Sequence, residues 1–220
     1  VTSDTGTATA RRAPRPRADA LRNRERIVTA AREMFVESGS QVPYDEIARR
    51  AGVGNATLYR NFPERADLVR EVVLSLMARV AELAERAAAE EADTFAALRR
   101  FVHGAADERV GALCLMLDGA FDRDHPGLVA ERDRLEGVVQ GIVDRAQRAG
   151  RLRADVGVGD LMLAVSQLTR PLPGTACAAF TPFVHRHLQL FLDGLEAPAR
   201  SELPGTTATL EALRRDSCPS

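Results

Sequence analysis

Residues 43–68, PYDEIARRAGVGNATLYRNFPERADL, constrain this 220-residue chain more tightly than any other stretch. They read as two short helices joined by a tight turn, followed at once by a third, longer helix. Ile47, Ala48 and Ala51 share one face of the first helix through their i, i+1, i+4 spacing. Ala48 is small, so a second helix can cross it closely. Gly52 lies four residues on and ends the first helix in the left-handed conformation that glycine adopts without strain. Val53 is the apolar plug after the turn, and Leu58 and Phe62 form the buried face of the second helix. Small residue, glycine and plug at these offsets are the physical signature of a helix-turn-helix. The second helix of such a unit enters the DNA major groove, where its N-terminal residues meet base edges.

Leu58 and Phe62 leave Asn55, Ala56, Thr57, Tyr59, Arg60 and Asn61 on the free surfaces of that second helix. Ala56 and Thr57 are short, so they allow close approach and can touch a thymine methyl. Asn55 and Arg60 suit bidentate reading of base edges, and Tyr59 and Asn61 suit phosphates. Tyr44 is either a further phosphate contact or a packing residue. Pro43 is expected at the first position of its helix, with Asp45 and Glu46 favouring the dipole behind it. Gly54 is the expected N-cap of the second helix. Arg65 places a cation at a helix start, where the dipole disfavours it. A phosphate facing that end would offset the cost, so Arg65 is read as a phosphate clamp; the alternative is a solvated surface arginine.

Joined with Ile27–Phe35 (IVTAAREMF), Gly39, the run Asp45–Val53, Thr57-Leu58-Tyr59, Phe62 and Leu68, this segment resembles the DNA-binding domain of the TetR family of transcriptional regulators, over roughly residues 20–78. The family usually has Thr where Pro43 stands and Lys where Arg65 stands, and the resemblance supports the role given to Tyr59. It implies an all-α protein: a three-helix helix-turn-helix head and a helical ligand-binding and dimerisation body, about nine helices altogether. It also implies a homodimer on a double-stranded DNA operator, most often a repressor released by a small-molecule effector. By the same resemblance Phe101, Leu113, Met116, Leu117, Phe121 and Val139 are candidate ligand contacts, with His103 and His125 as polar additions. Apolar residues at helical spacing are nonetheless more often core than pocket.

Charge fits a nucleic-acid reader joined to a different module. Residues 1–70 carry thirteen arginines against nine acids, and the remainder carries seventeen against twenty-two. Residues 1–18 are polar and Pro-interrupted. They are expected to be a flexible basic arm, either a solvated tail or a segment reaching the minor groove. The head is expected over 19–78, the body over 79–197 and a mobile tail over 198–220. Helical spacing predicts helices over about 20–38, 64–87, 94–106, 109–121, 128–149, 160–169 and 178–195, with Asp93 as a cap. The last two carry apolar residues over more than one narrow stripe, which marks an interface. Leu161, Val165, Phe180, Phe183, Val184, Leu188 and Phe191 are its candidates.

The three cysteines are scattered, without ligand or disulfide spacing, and suggest a reducing cytoplasm. The N-terminal stretch has no apolar core of a signal peptide, and no apolar run is long enough to span a membrane. No motif for metal, nucleotide cofactor or nucleophilic catalysis is found, so neither cofactor nor enzyme activity is expected. Two other readings stay open: a DNA-binding regulator without effector, and a small-molecule-binding or enzymatic helical protein that has lost DNA binding.

Overall fold

The computed structural model describes residues 16–111, 122, 124–170 and 177–215, with the side chains of 16–18, 177–181 and 213–215 outside that description. Nine α-helices and no strand occur among the described residues: α1 (Pro16–Ser38), α2 (Tyr44–Ala51), α3 (Asn55–Asn61), α4 (Arg65–Glu90), α5 (Thr94–Asp107), α6 (Pro126–Arg148), α7 (Val158–Leu168), α8 (Cys177–Leu195) and α9 (Leu210–Arg215). The expected helix over 109–121 lies almost wholly outside the described residues. The ninth helix is instead a short one in the expected tail.

α1 starts four residues before the expected Ala20. Pro16 occupies its first position, where a fixed φ and a missing N–H cost nothing. Ile27, Ala31, Met34 and Phe35 of α1 meet Ile47, Ala48 and Ala51 of α2, Leu58 of α3, Phe62, and Leu68 and Val72 of α4 in one buried core. That core runs without a break into the body through Val80, Ala84 and Ala87, which lie under Phe95, Leu98, Phe101 and Val102 of α5 and Val139, Ile142 and Val143 of α6. α4 therefore closes the head and forms the floor of the body, and residue 78 falls inside it. The Asp93 carboxylate caps α5 as expected, accepting from the N–H groups of Phe95 and Ala96 at 2.8 and 3.0 Å.

Head and body also meet at one carboxylate. Glu108, just after α5, accepts from Arg32 of α1 at 2.6 Å and from Arg79 of α4 at 2.8 and 2.7 Å. The hydrogen bonds from Arg79, aided by the charges of Arg79 and Arg32, hold the Glu108 carboxyl below the usual glutamate range despite its partial burial. A depressed folded pKa gives stability that is fully present above the unfolded value of about 4.3 and is lost as pH falls through the folded value. We expect Glu108→Gln to destabilise the protein by about 1 kcal/mol at pH 7. The gap from wild type should close on acidification, which thermal melts at pH 7 and at pH 3 to 4 will read. A gap that persists unchanged at acid pH contradicts the assignment.

The segment after α8 returns across the body. Leu152 and Glu196 form an isolated antiparallel bridge. The buried Arg153 guanidinium binds the Asp155 carboxylate at 2.6 and 2.8 Å and the Ser201 carbonyl at 2.7 Å. Farther on, Ala208 N–H donates to Asp160 at 3.1 Å and Thr207 to the Asp155 carbonyl at 3.3 Å. A Cβ on Gly159 would sit 2.3 Å from the Ala208 carbonyl oxygen, so only glycine permits this approach. Part of the stretch expected as a loose tail is thus docked on the start of α7.

Candidate nucleic-acid interface

The turn between α2 and α3 is built as the sequence requires. Gly52 has φ 63° and ψ 38°; its N–H donates to the Arg49 carbonyl at 3.1 Å, and the Val53 N–H to the Ala48 carbonyl at 3.0 Å. This pair of bonds is a Schellman stop, and it turns Val53 inward against the core. Arg26 of α1 donates to the Gly52 carbonyl at 3.0 Å, and a Cβ on Gly52 would meet the same guanidinium at 2.5 Å. Pro43 differs from expectation. It is the N-cap of α2, not its first helical residue, with φ −60° and ψ 145° and no side-chain cap. Val42 and Ile47 are both buried at the two positions of a hydrophobic staple, which supplies the entry that a hydroxyl cap would give elsewhere.

α3 is held from beneath by Leu58 and Phe62, both fully buried. The Gly54 carbonyl accepts from Thr57 and Leu58, with no side-chain cap. Asn55, Ala56, Tyr59 and Arg60 are exposed on the outer face, Tyr59 by 55%, while Thr57 and Asn61 are half-buried. Two of the longer side chains are folded back on the helix. Arg60 donates to the Ala56 carbonyl and to the Thr57 hydroxyl, both at 3.2 Å. Asn61 donates to the Thr57 carbonyl at 2.7 Å. The Arg60 contacts are exposed, so they can exchange for a base or phosphate at little cost; the Asn61 bond is tighter and half-buried.

Tyr44 and Arg65 are placed differently from the other candidates. The Tyr44 ring lies 5.2 Å from the Tyr59 ring at 54°, and its buried hydroxyl finds no hydrogen-bond partner among the described residues. Burial pushes its phenol above the usual tyrosine range. Arg65 turns toward the protein: Nε donates to the Ser40 carbonyl at 2.7 Å, and Nη2 to the Ser40 carbonyl and to that of Val42 at 2.7 Å. Sequence reasoning also missed Arg24. Its guanidinium stacks on the Phe62 ring at 4.4 Å and bonds both the Asn61 carbonyl and Glu71, so it fixes the end of α3. No local signal could have found this, because its partners lie 37 and 47 residues away.

Only some of the candidate ligand contacts fall within the described residues. Phe101 and Val139 are fully buried in the shared core, and Leu113, Met116, Leu117 and Phe121 lie outside the described residues. His103 is taken up in a polar link between α5 and α8: its Nδ1 is 2.9 Å from Nδ1 of His185, whose Nε2 is 3.0 Å from Asp107. His125 caps α6, accepting from the Gly127 N–H at 3.1 Å. An open cleft of about 190 Å³ lies at the joint of head and body, between Arg32, Val36, Glu37 and Asp107 to Arg109.

The interface candidates divide in two. Leu161, Val165, Val184 and Leu188 are buried within the subunit, and Phe191 is partly buried against its core. Phe183 is 55% and Leu190 61% exposed on α8, and Leu163 is 43% exposed on α7. The side chain of Phe180 lies outside the described residues. No described helix is long and apolar enough to cross a membrane.

Comparison with known proteins agrees with this architecture. Residues 27–72 match the family described as bacterial regulatory proteins, tetR family, and residues 94–197 match the C-terminal domain of SbtR-like transcriptional regulators. A TetR transcription regulatory protein from Mycobacterium vanbaalenii is 30% identical over 82% of this chain and 99% of its own, with a TM-score of 0.57. The TetR transcriptional regulator SCO0520 from Streptomyces coelicolor is 28% identical over 80% of this chain and 99% of its own, with a TM-score of 0.61. The HTH-type transcriptional regulator SAB2452 of Staphylococcus aureus is 40% identical over 58 residues, 26% of this chain. The chain matches only 31% of the length of that relative, and the matches to further curated relatives have the same extent.

Proposed function

Because the chain belongs to the TetR family of transcriptional regulators, with a DNA-binding helix-turn-helix and not an enzyme's site, we propose that it acts as a two-fold homodimer on a palindromic operator in the cytoplasm. The observation that carries this reading is the outer face of α3. Asn55, Ala56, Tyr59 and Arg60 stand exposed on the outer face of a short helix that the Gly52 turn and the buried Leu58 and Phe62 fix on the core. Asn55 and Arg60 read base edges, Ala56 and Thr57 allow close approach, and Tyr59 and Asn61 bond phosphates. One helix of seven residues has too few contacts for specific binding, so two heads act together. The exposed stripe of Phe183, Leu190 and Leu163 is the surface through which α7 and α8 meet those of the mate.

The protein acts as a repressor that leaves its operator when a small molecule binds the body. The effector must prefer a head spacing that the operator does not, since a ligand indifferent to the two states shifts nothing.

A footprint on the DNA upstream of the protein's own gene tests the proposal. We expect a protected palindrome with half-sites one helical turn or a multiple apart. Protection of a single, asymmetric half-site would exclude the two-fold mode of binding.

A further inference from the structure

We infer that Arg65 is a positioning residue that sets the recognition helix through the Tyr44–Tyr59 ring pair, and is not a phosphate contact. The inference rests on the DNA-binding role proposed above and assigns this residue's part in it. Arg65 is the first residue of α4, directly after α3. Its Nε–Nη2 edge, one of those that can fork onto a phosphate, is taken up by the carbonyls of Ser40 and Val42 in the connection before α2. Its guanidinium also lies 5.7 Å from the Tyr44 ring and 5.8 Å from the Phe35 ring. One side chain thereby ties α4 to α1, to the α1–α2 connection and to the start of α2.

The tie continues to the DNA-facing surface. Tyr44 carries Tyr59 against its ring, and Tyr59 is a large hydrophobic side chain more than half exposed on α3. The N-cap Pro43 makes no side-chain bond, so the polar tie at this entry to α2 comes from Arg65. Lysine keeps the charge but has no plane to stack and no rigid fork for two carbonyls.

The chain contains two tyrosines and no tryptophan, so its near-ultraviolet tyrosine dichroism reports this one ring pair. Full-length wild type, Arg65→Lys and Arg65→Ala are compared on a duplex that the wild type selects from random-sequence DNA. We expect Arg65→Lys and Arg65→Ala each to bind about tenfold or more weakly, both with an altered tyrosine band and unchanged far-ultraviolet helicity. Arg65→Lys at wild-type affinity would overturn the inference, because charge alone would then suffice. Weakened binding with an unchanged tyrosine band would overturn it too, in favour of a direct contact by the guanidinium. Should Arg65→Ala fail to fold, Tyr44→Leu removes the ring and keeps Arg65; it should weaken binding as much as Arg65→Lys, and wild-type affinity there would again overturn the inference. If the wild type selects no DNA, the proposed function fails, while an unchanged tyrosine band in Arg65→Lys still rejects the positioning role on its own.

Discussion

A Phe183→Glu variant is expected to fold as a monomer and to bind its operator about 10²- to 10⁴-fold more weakly than wild type. Phe183 is more than half exposed in the subunit, so a carboxylate there meets water and leaves the core alone. In a two-fold interface the same residue appears twice, so two carboxylates are buried in an apolar surround. The heads would then bind as separate units, and the gain from tethering the second to the first disappears. Sedimentation gives the mass and a gel-shift titration gives the affinity. A variant that remains dimeric places the interface elsewhere. Leu188→Glu is the instructive contrast: Leu188 is fully buried within the subunit, so that change should unfold the body instead.

Phe62→Ala is expected to cost about 3–5 kcal/mol and to abolish DNA binding. Phe62 is fully buried where α1, α3 and α4 converge, and the Arg24 guanidinium lies flat on its ring. Truncation removes the floor of α3 together with the surface that orients Arg24, which also holds the Asn61 carbonyl. A domain of ordinary stability has about 5–15 kcal/mol in total, so such a loss removes a large share of it and unfolds the head outright only at the bottom of that range. Denaturant unfolding followed by far-ultraviolet dichroism measures it, and a cost under about 1 kcal/mol would mean that the ring is not part of the core. Phe62→Leu should recover most of the stability, because it refills most of the volume.

The head was legible in the sequence because its determinants are local. The 3.6-residue spacing of Ile27, Ala31 and Phe35, the stop at Gly52 and the pair Leu58–Phe62 each act within a few residues, and each is found as expected. Arg65 was legible only as a charge at a helix start. Its partners, 23 and 25 residues away, are backbone carbonyls that carry no sequence signature. The link between His103 and His185 spans 82 residues and was invisible for the same reason. The interface was half legible. Apolar spacing shows that a face leaves water but not what covers it, and Leu161, Val165, Val184 and Leu188 turned out to be covered by their own subunit. The start of α1 was missed because a proline in a polar, arginine-rich stretch reads as an interruption, although at a first helical position it is an initiator.

The continuity of α4 has a mechanical consequence. Its 26 residues make a rod about 39 Å long, clamped beside the recognition helix at Arg65 and embedded among the body helices over its second half. Such a rod works as a lever arm. A tilt of about 5° at the body end carries the other end through about 3 Å, close to the rise of one base pair. Side-chain adjustments too small to alter the shape of the body are thus magnified, at the DNA, into an error of about one step in the reading frame of the groove.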